Sequence, residues 1–166
     1  TTDAGLEDGL RLLRVHGSRR RYEHETLGWN ARMHELQAAV LRTKLPHLAA
    51  WTARRRALAA VYDQRLRGLD GVRPPALTPD HVFHQYVIRC ARRDQLRRYL
   101  AERGIGTEVY YPIPLHQQPA LRQFAPLAPL PEAERAAHDV LALPMFPELG
   151  EGEVEQVAAA VREFYS

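Results

Sequence analysis

The stretch His16–Leu48, HGSRRRYEHETLGWNARMHELQAAVLRTKLPHL, passes from a charged segment without period into a long amphipathic pattern, with the change at Gly28-Trp29-Asn30-Ala31-Arg32. Up to Leu27 the run reads as a loop or irregular hairpin exposing Arg19, Arg20 and Arg21, either merely solvated or an anion-binding arm. From about Ala31 towards Leu69, residues Met33, Leu36, Val40, Leu45, Leu48, Trp51, Leu58, Val61, Tyr62 and Leu66 can share one broad helical stripe. Pro46 interrupts it, by kinking one helix or opening a second, so two long helices placed end to end are expected. At the junction, Asn30 reads in two ways. It is an ordinary N-cap whose side-chain oxygen accepts from a first-turn amide, or it joins the helix-start amides in holding an anion, which the positive helix end favours. Arg32 adds charge there or pairs with Glu35 three residues on.

Working outward, Ala4 to Val15 carries Leu6, Leu10 and Leu13 at helical spacing, with Asp3 as N-cap and Gly17 as stop. Downstream, Gly68 and Gly71 close the long helical segment, and RPPALTPDH is an extended linker because each proline pushes its predecessor out of helical space. HVFHQYVIRC, rich in β-branched and aromatic residues, predicts a strand. A short helix over Asp94–Arg103 capped by Gly104 follows, then a second strand in IGTEVYY. Strand, helix, strand is the order of α/β and α+β domains. YYPIPLHQQP, Tyr110 to Pro119, cannot be regular structure, since its three prolines remove donors and fix φ. Pro119–Phe124 and Pro131–Val140 read as brief helices and LALPMFPEL as an extended apolar crossing. The helix expected over Gly152–Tyr165 turns Val154, Val157, Val161 and Phe164 inward.

The 166 residues suit one domain or a large piece of a bigger protein. Net charge is +3 and the basic residues, nearly all arginine, are scattered over several helices, so no nucleic-acid partner is expected. Cys90 is the sole cysteine, excluding an internal disulfide and a cysteine-cluster metal site. No run is long and apolar enough for a bilayer, and the first residues lack the order of a signal peptide, so a soluble, cytoplasmic protein without a membrane partner is expected. His81 and His84 are the most suggestive metal pair, but three residues apart on a strand they face opposite sides, and no metal is expected. Ser18 and Ser166 are the only serines and neither sits in a Gly-x-Ser-x-Gly turn. Three polar-aromatic spots remain: the arm Arg19–His24, the Asn30 junction, and the loop Tyr110–His116. In that loop Tyr110, Tyr111 and His116 are binding groups, or the tyrosines pack on the sheet and His116 faces solvent.

Three ordered segments, the His16–Leu48 stretch, HVFHQYVIR and GIGTEVYYPIPLHQQP, followed by LPEAERAAHDVLALPMFPEL, resemble the DegT/DnrJ/EryC1/StrS family of pyridoxal-phosphate-dependent sugar aminotransferases over essentially the whole chain. The resemblance implies an α/β fold of the aspartate-aminotransferase type, fold-type I. Residues 1–30 would end the large cofactor domain and form an interface arm, residues 31–69 the long connecting helices, and residues 70–166 the small C-terminal α/β domain. It further implies a homodimer, a nucleotide-linked keto-sugar or cyclitol as substrate, and glutamate or glutamine as amino donor. Asn30 matches the asparagine presented to the cofactor phosphate of the neighbouring subunit, and Arg20, Arg21, Tyr22 and Arg32 belong to the substrate-phosphate arm and its junction. Tyr110, Tyr111 and His116 match a loop bordering the sugar, with Tyr110 where many members have histidine. One departure is central. The family's Schiff-base lysine, the aspartate facing the pyridine nitrogen and the ring-stacking aromatic lie upstream of these residues, and Lys44, the only lysine, matches none of them. No catalytic residue is therefore assigned, and the chain alone should be inactive. The alternative is a lysine-free binding or dimerisation module, or a piece of one of the family's sugar dehydratases.

Overall fold

In a computed structural model, which describes residues 1–124 and 128–166, the chain forms two compact units, Thr1–His47 and Leu48–Ser166.

The first unit opens with helix α1, Ala4–Leu13, whose start is set where expected: the Leu6 N–H donates to Asp3 Oδ1 at 2.9 Å. His16 and Gly17 adopt positive φ of 63° and 70° and turn the chain into a small antiparallel hairpin, β1 (Ser18–Arg20) with β2 (Glu23–His24), Tyr22 sitting at φ 68° in its turn. Gly17 is obligatory here, since a Cβ would lie 1.9 Å from the Thr26 carbonyl oxygen. The backbone then returns along the end of α1. Trp29 N–H donates to Leu13 O at 2.8 Å, His16 N–H to Trp29 O at 2.9 Å and Ala31 N–H to Arg14 O at 3.0 Å, with Asn30 bridged to Val15.

That return corrects the reading of Asn30 as an N-cap. Its neighbours' amides and carbonyls are committed to pairing with 13–16, so a helix cannot start there. Helix α2 spans Glu35–Lys44 behind His34, whose N–H donates to Gln37 Oε1 at 3.1 Å. Pro46 lies in a single 3-10 turn, Leu45–His47, rather than in the first turn of a second α-helix. The expected shared stripe also divides. Met33, Leu36, Val40, Leu45 and Leu48 are exposed, whereas Leu58, Tyr62 and Leu66 are buried.

In the second unit, helix α3 (Leu48–Leu66), helix α4 (Arg93–Glu102) and helix α6 (Glu151–Tyr165) share one core with a three-stranded antiparallel sheet of β3 (Val72–Arg73), β4 (Tyr86–Cys90) and β5 (Val140–Leu143). Along β4 the residues alternate, Tyr86, Ile88 and Cys90 entering the core. The other face bears Arg89, which reaches Glu132 at 3.9 Å and Asp139 at 3.8 Å on helix α5, Pro131–Asp139. Tyr62 stacks on Tyr86 with ring centroids 4.7 Å apart and donates its hydroxyl to Pro144 O at 3.0 Å. In α6, Val154, Val157 and Val161 face inward as their spacing predicts.

Three sequence expectations change here. RPPALTPDH begins not as linker but with the end of β3, Arg73 pairing with Arg89. IGTEVYY is no strand: it makes one bridge, Glu108 to Ala142, before the prolines end the ladder. His81 and His84 precede β4 instead of lying on it, because Phe83 turns the chain at φ 47°, its N–H donating to His81 Nδ1 at 2.9 Å.

Candidate functional site

The return of residues 28–31 along α1 carries Arg32 beside the hairpin. There His16, Arg19, Arg20, Arg21, Tyr22, His24 and Arg32 line a basic recess of about 420 Å³. The four residues expected of a substrate-phosphate arm, Arg20, Arg21, Tyr22 and Arg32, are thus gathered in one place. Arg21 lies over the Tyr22 ring, 4.9 Å from its centroid, and the ring itself is exposed. The hairpin is narrow and internally bonded: Ser18 donates its hydroxyl to the Arg20 and Glu23 carbonyls, and His24 Nδ1 lies 3.0 Å from the His16 carbonyl.

Asn30 adjoins this recess through Arg32, whose Nε donates to Asn30 Oδ1 at 2.9 Å. The expected Arg32–Glu35 pair is not the contact found. With its oxygen taken by Arg32, Asn30 keeps an NH2 that bonds to none of the described residues, and Arg32 keeps its two outer nitrogens. Such a set is dominated by free donors, and it suits a phosphate rather than a cation.

The second spot is in the other unit. Glu108 and Ala142 exchange backbone hydrogen bonds of 3.2 and 2.8 Å, anchoring the start of the proline loop, and Val109 is buried. Beyond it Tyr110, Tyr111 and His116 line a mostly apolar cleft of about 760 Å³ together with Ile113, Leu115, Leu121, Phe124 and Ala133 of α5. The side chains of the loop differ in exposure. Tyr111 stands in solvent at 74% exposure, whereas His116 is tucked in with its Nε2 3.1 Å from Glu134 Oε1. Glu134 also accepts the Leu130 N–H at 3.3 Å, so one α5 carboxylate holds both loop and helix start. Nothing in the sequence pattern marked it beyond its place in the first turn of a helix opened by Pro131.

Lys44 lines neither recess; it closes α2. Neither spot therefore offers a primary amine to a carbonyl. No three His, Cys, Asp or Glu side chains among the described residues form a metal-sized group, and none of the described helices is long and apolar enough to cross a membrane.

The family model of the DegT/DnrJ/EryC1/StrS aminotransferase family matches residues 1–162. The chain is similar to a pleiotropic regulatory protein of Geobacillus stearothermophilus, with 47% identity over 99% of this chain and 46% of that protein. It is equally similar to the dTDP-3-amino-3,4,6-trideoxy-alpha-D-glucose transaminase of Streptomyces venezuelae, with 47% identity over 99% of this chain and 44% of the relative. Among solved structures, DesV of S. venezuelae, determined in complex with a ketimine intermediate, superimposes with a TM-score of 0.94 at 47% identity over all of this chain and 46% of its own. The chain thus spans less than half the length of the relatives it matches, and the α/β fold implied by the resemblance is the one it shares with DesV.

Proposed function

Because the chain belongs to the DegT/DnrJ/EryC1/StrS aminotransferase family, we propose that it is the C-terminal part of a homodimeric, cytoplasmic, pyridoxal-phosphate-dependent aminotransferase of nucleotide-linked keto-sugars or related cyclitols. Residues 1–30 are assigned to the end of the cofactor domain and its interface arm, 31–69 to connecting helices and 70–166 to the small domain. The cofactor, when bound in the complete enzyme, carries the amino group from glutamate or glutamine to the keto-sugar. The residues of this chain bind and orient. The free NH2 of Asn30 suits the cofactor phosphate, and the outer nitrogens of Arg32 suit the substrate's phosphates. Arg20, Arg21 and Tyr22 suit the substrate's diphosphate, whose charge the exposed guanidinium groups offset. Tyr110, Tyr111 and His116 suit the sugar, their apolar cleft excluding water from its ring.

The observation that carries the reading is the gathering of Arg20, Arg21, Tyr22 and Arg32 in one recess with Asn30 at its rim. Intact mass and absorbance of the protein from its native source test it. A longer chain with a bound yellow cofactor, transferring an amino group to a nucleoside-diphosphate keto-sugar, is expected. In that enzyme Asn30→Ala should weaken cofactor binding by about ten-fold, the scale of one charge-assisted hydrogen bond. A native chain of 166 residues that stays colourless with added pyridoxal phosphate would overturn the reading in favour of a lysine-free binding module.

A further inference from the structure

Four arginines line the basic recess, but their guanidinium groups are not equivalent. Arg20 makes no side-chain hydrogen bond or ion pair with the described residues, and Arg21 only lies over Tyr22. Arg32 gives one nitrogen to Asn30. Arg19 is committed on three. Its Nη1 donates to Asp8 Oδ1 at 2.8 Å, its Nη2 pairs with the other oxygen of the same carboxylate, and its Nε donates to Glu25 Oε2 at 3.2 Å. A two-pronged grip on α1 and a third bond to the strand-end residue after β2 is a geometry that a planar guanidinium supplies and a lysine ammonium does not. Two carboxylates also cancel its charge.

We propose that Arg19 is a positioning residue: with Asp8 and Glu25 it clamps the hairpin to α1, so that Arg20 and Arg21 are presented to a diphosphate that Arg19 itself does not bind. The proposal rests on the reading of this recess as an anion site. The hairpin gains from such a clamp because its two strands, of three and two residues, form a two-stranded unit that is marginally stable in water even with its internal bonds. The pairing is electrostatically favourable on the α1 side as well, since the hydrogen bond from Arg19 holds the Asp8 carboxyl below the usual carboxylate range.

The substitution Asp8→Asn separates position from charge by sign. It removes a negative charge paired with Arg19, a residue of the recess lining, so electrostatics alone requires tighter anion binding; loss of the clamp requires weaker binding. Calorimetric titration of the whole chain with inorganic pyrophosphate and with thymidine diphosphate at low salt is the measurement. Asp8→Asn should weaken both by about two- to five-fold, the range of an exposed, geometrically good ion pair. Asp8→Glu, which keeps the carboxylate, should restore binding towards the wild-type value, a rescue that general damage to the fold would not give. Amide exchange at Arg21 and Tyr22 should quicken in Asp8→Asn while that of α3 and α6 stays unchanged. Binding by Asp8→Asn as tight as wild type or tighter, or unchanged exchange at the hairpin tip, overturns the clamp and leaves the anion site standing. A wild-type chain that takes up neither anion overturns the anion site itself, and the clamp's role with it.

Discussion

In Leu48–Ser166 the side chains of Leu58, Tyr62, Ile88, Leu96, Leu100, Leu141 and Val161 are fully buried, whereas in Thr1–His47 the only buried residue is Gly17. The first unit is not short of apolar residues: Leu6, Leu10, Trp29, Met33, Leu36, Val40, Leu41 and Leu45 all face solvent. What differs is that no element of its own covers them. Burial contributes about 25 cal/mol per Å² of apolar surface, so the second unit has a source of stability that the first lacks. The first is held by backbone pairing, a cap and exposed ion pairs, each worth about 1 kcal/mol or less. The recess with the larger number of free cationic groups therefore sits on the less self-sufficient scaffold. A site built this way is positioned by directional polar contacts, and single contacts such as that of Arg19 with Asp8 matter more there than they would on a packed core.

The contrast can be broken most directly in the core. Leu58→Ala should cost about 3 kcal/mol in chemical denaturation, because it leaves a cavity among α3, α6 and the sheet; a loss below about 1 kcal/mol would mean the core is loosely packed. The next largest effect is on pH. Burial pushes the Cys90 thiol up to about 11. The folded chain thus keeps its proton while the unfolded thiol, with its ordinary value near 9.0, gives it up. The contribution of Cys90 is fully present below about pH 9 and is lost as pH rises through about 11, by roughly 1–2 kcal/mol. Cys90→Ala should flatten that part of the denaturation profile. A stability curve of the same slope in both proteins would remove burial of the thiol as its cause.

Gly17→Ala sharpens the other side. The added Cβ meets the Thr26 carbonyl and the residue must still hold φ 70°. The hairpin should open by roughly 1–2 kcal/mol, read as faster amide exchange over residues 18–25 with α3, α4 and α6 unaffected. Smallest is Leu36→Ala, on the exposed face of α2, which should change stability by no more than about 0.5 kcal/mol. A cost approaching that of Leu58→Ala would show that this face is covered in solution, and the comparison between the units would fail.

How far the sequence could be read depended on the range of the interaction concerned. Asp3 as the cap of α1, Gly104 after α4, the break at Pro46, the inward valines of α6 and the irregular course after Tyr110 are each decided within a few residues, and each is where the pattern places it. The hairpin was legible as an arm rich in arginine, but not which arginine is tied down. Asp8 and Glu25 lie 11 and 6 residues from Arg19, and no local period relates them. Asn30 had every mark of an N-cap, and it lost that place because the chain around it pairs with the end of α1. The strand expected in IGTEVYY failed for a local reason instead, since the prolines that follow end its pairing with β5 after one bridge.

The sequence by itself determined the bounds of α1, α4 and α6 to within a residue or two, which residues can face a core, and, through the ordered resemblance of its segments, the family and the α/β fold. Those are properties of short-range backbone preference and side-chain period, which travel with the local residues. Tertiary structure alone decided that Arg20, Arg21, Tyr22 and Arg32 share a recess, that His116 is held by Glu134, and that α3 buries Leu58, Tyr62 and Leu66 while α2 exposes its own apolar residues. Those outcomes depend on which distant segments meet, and a pairing of backbones or charges is settled only when both partners are in place.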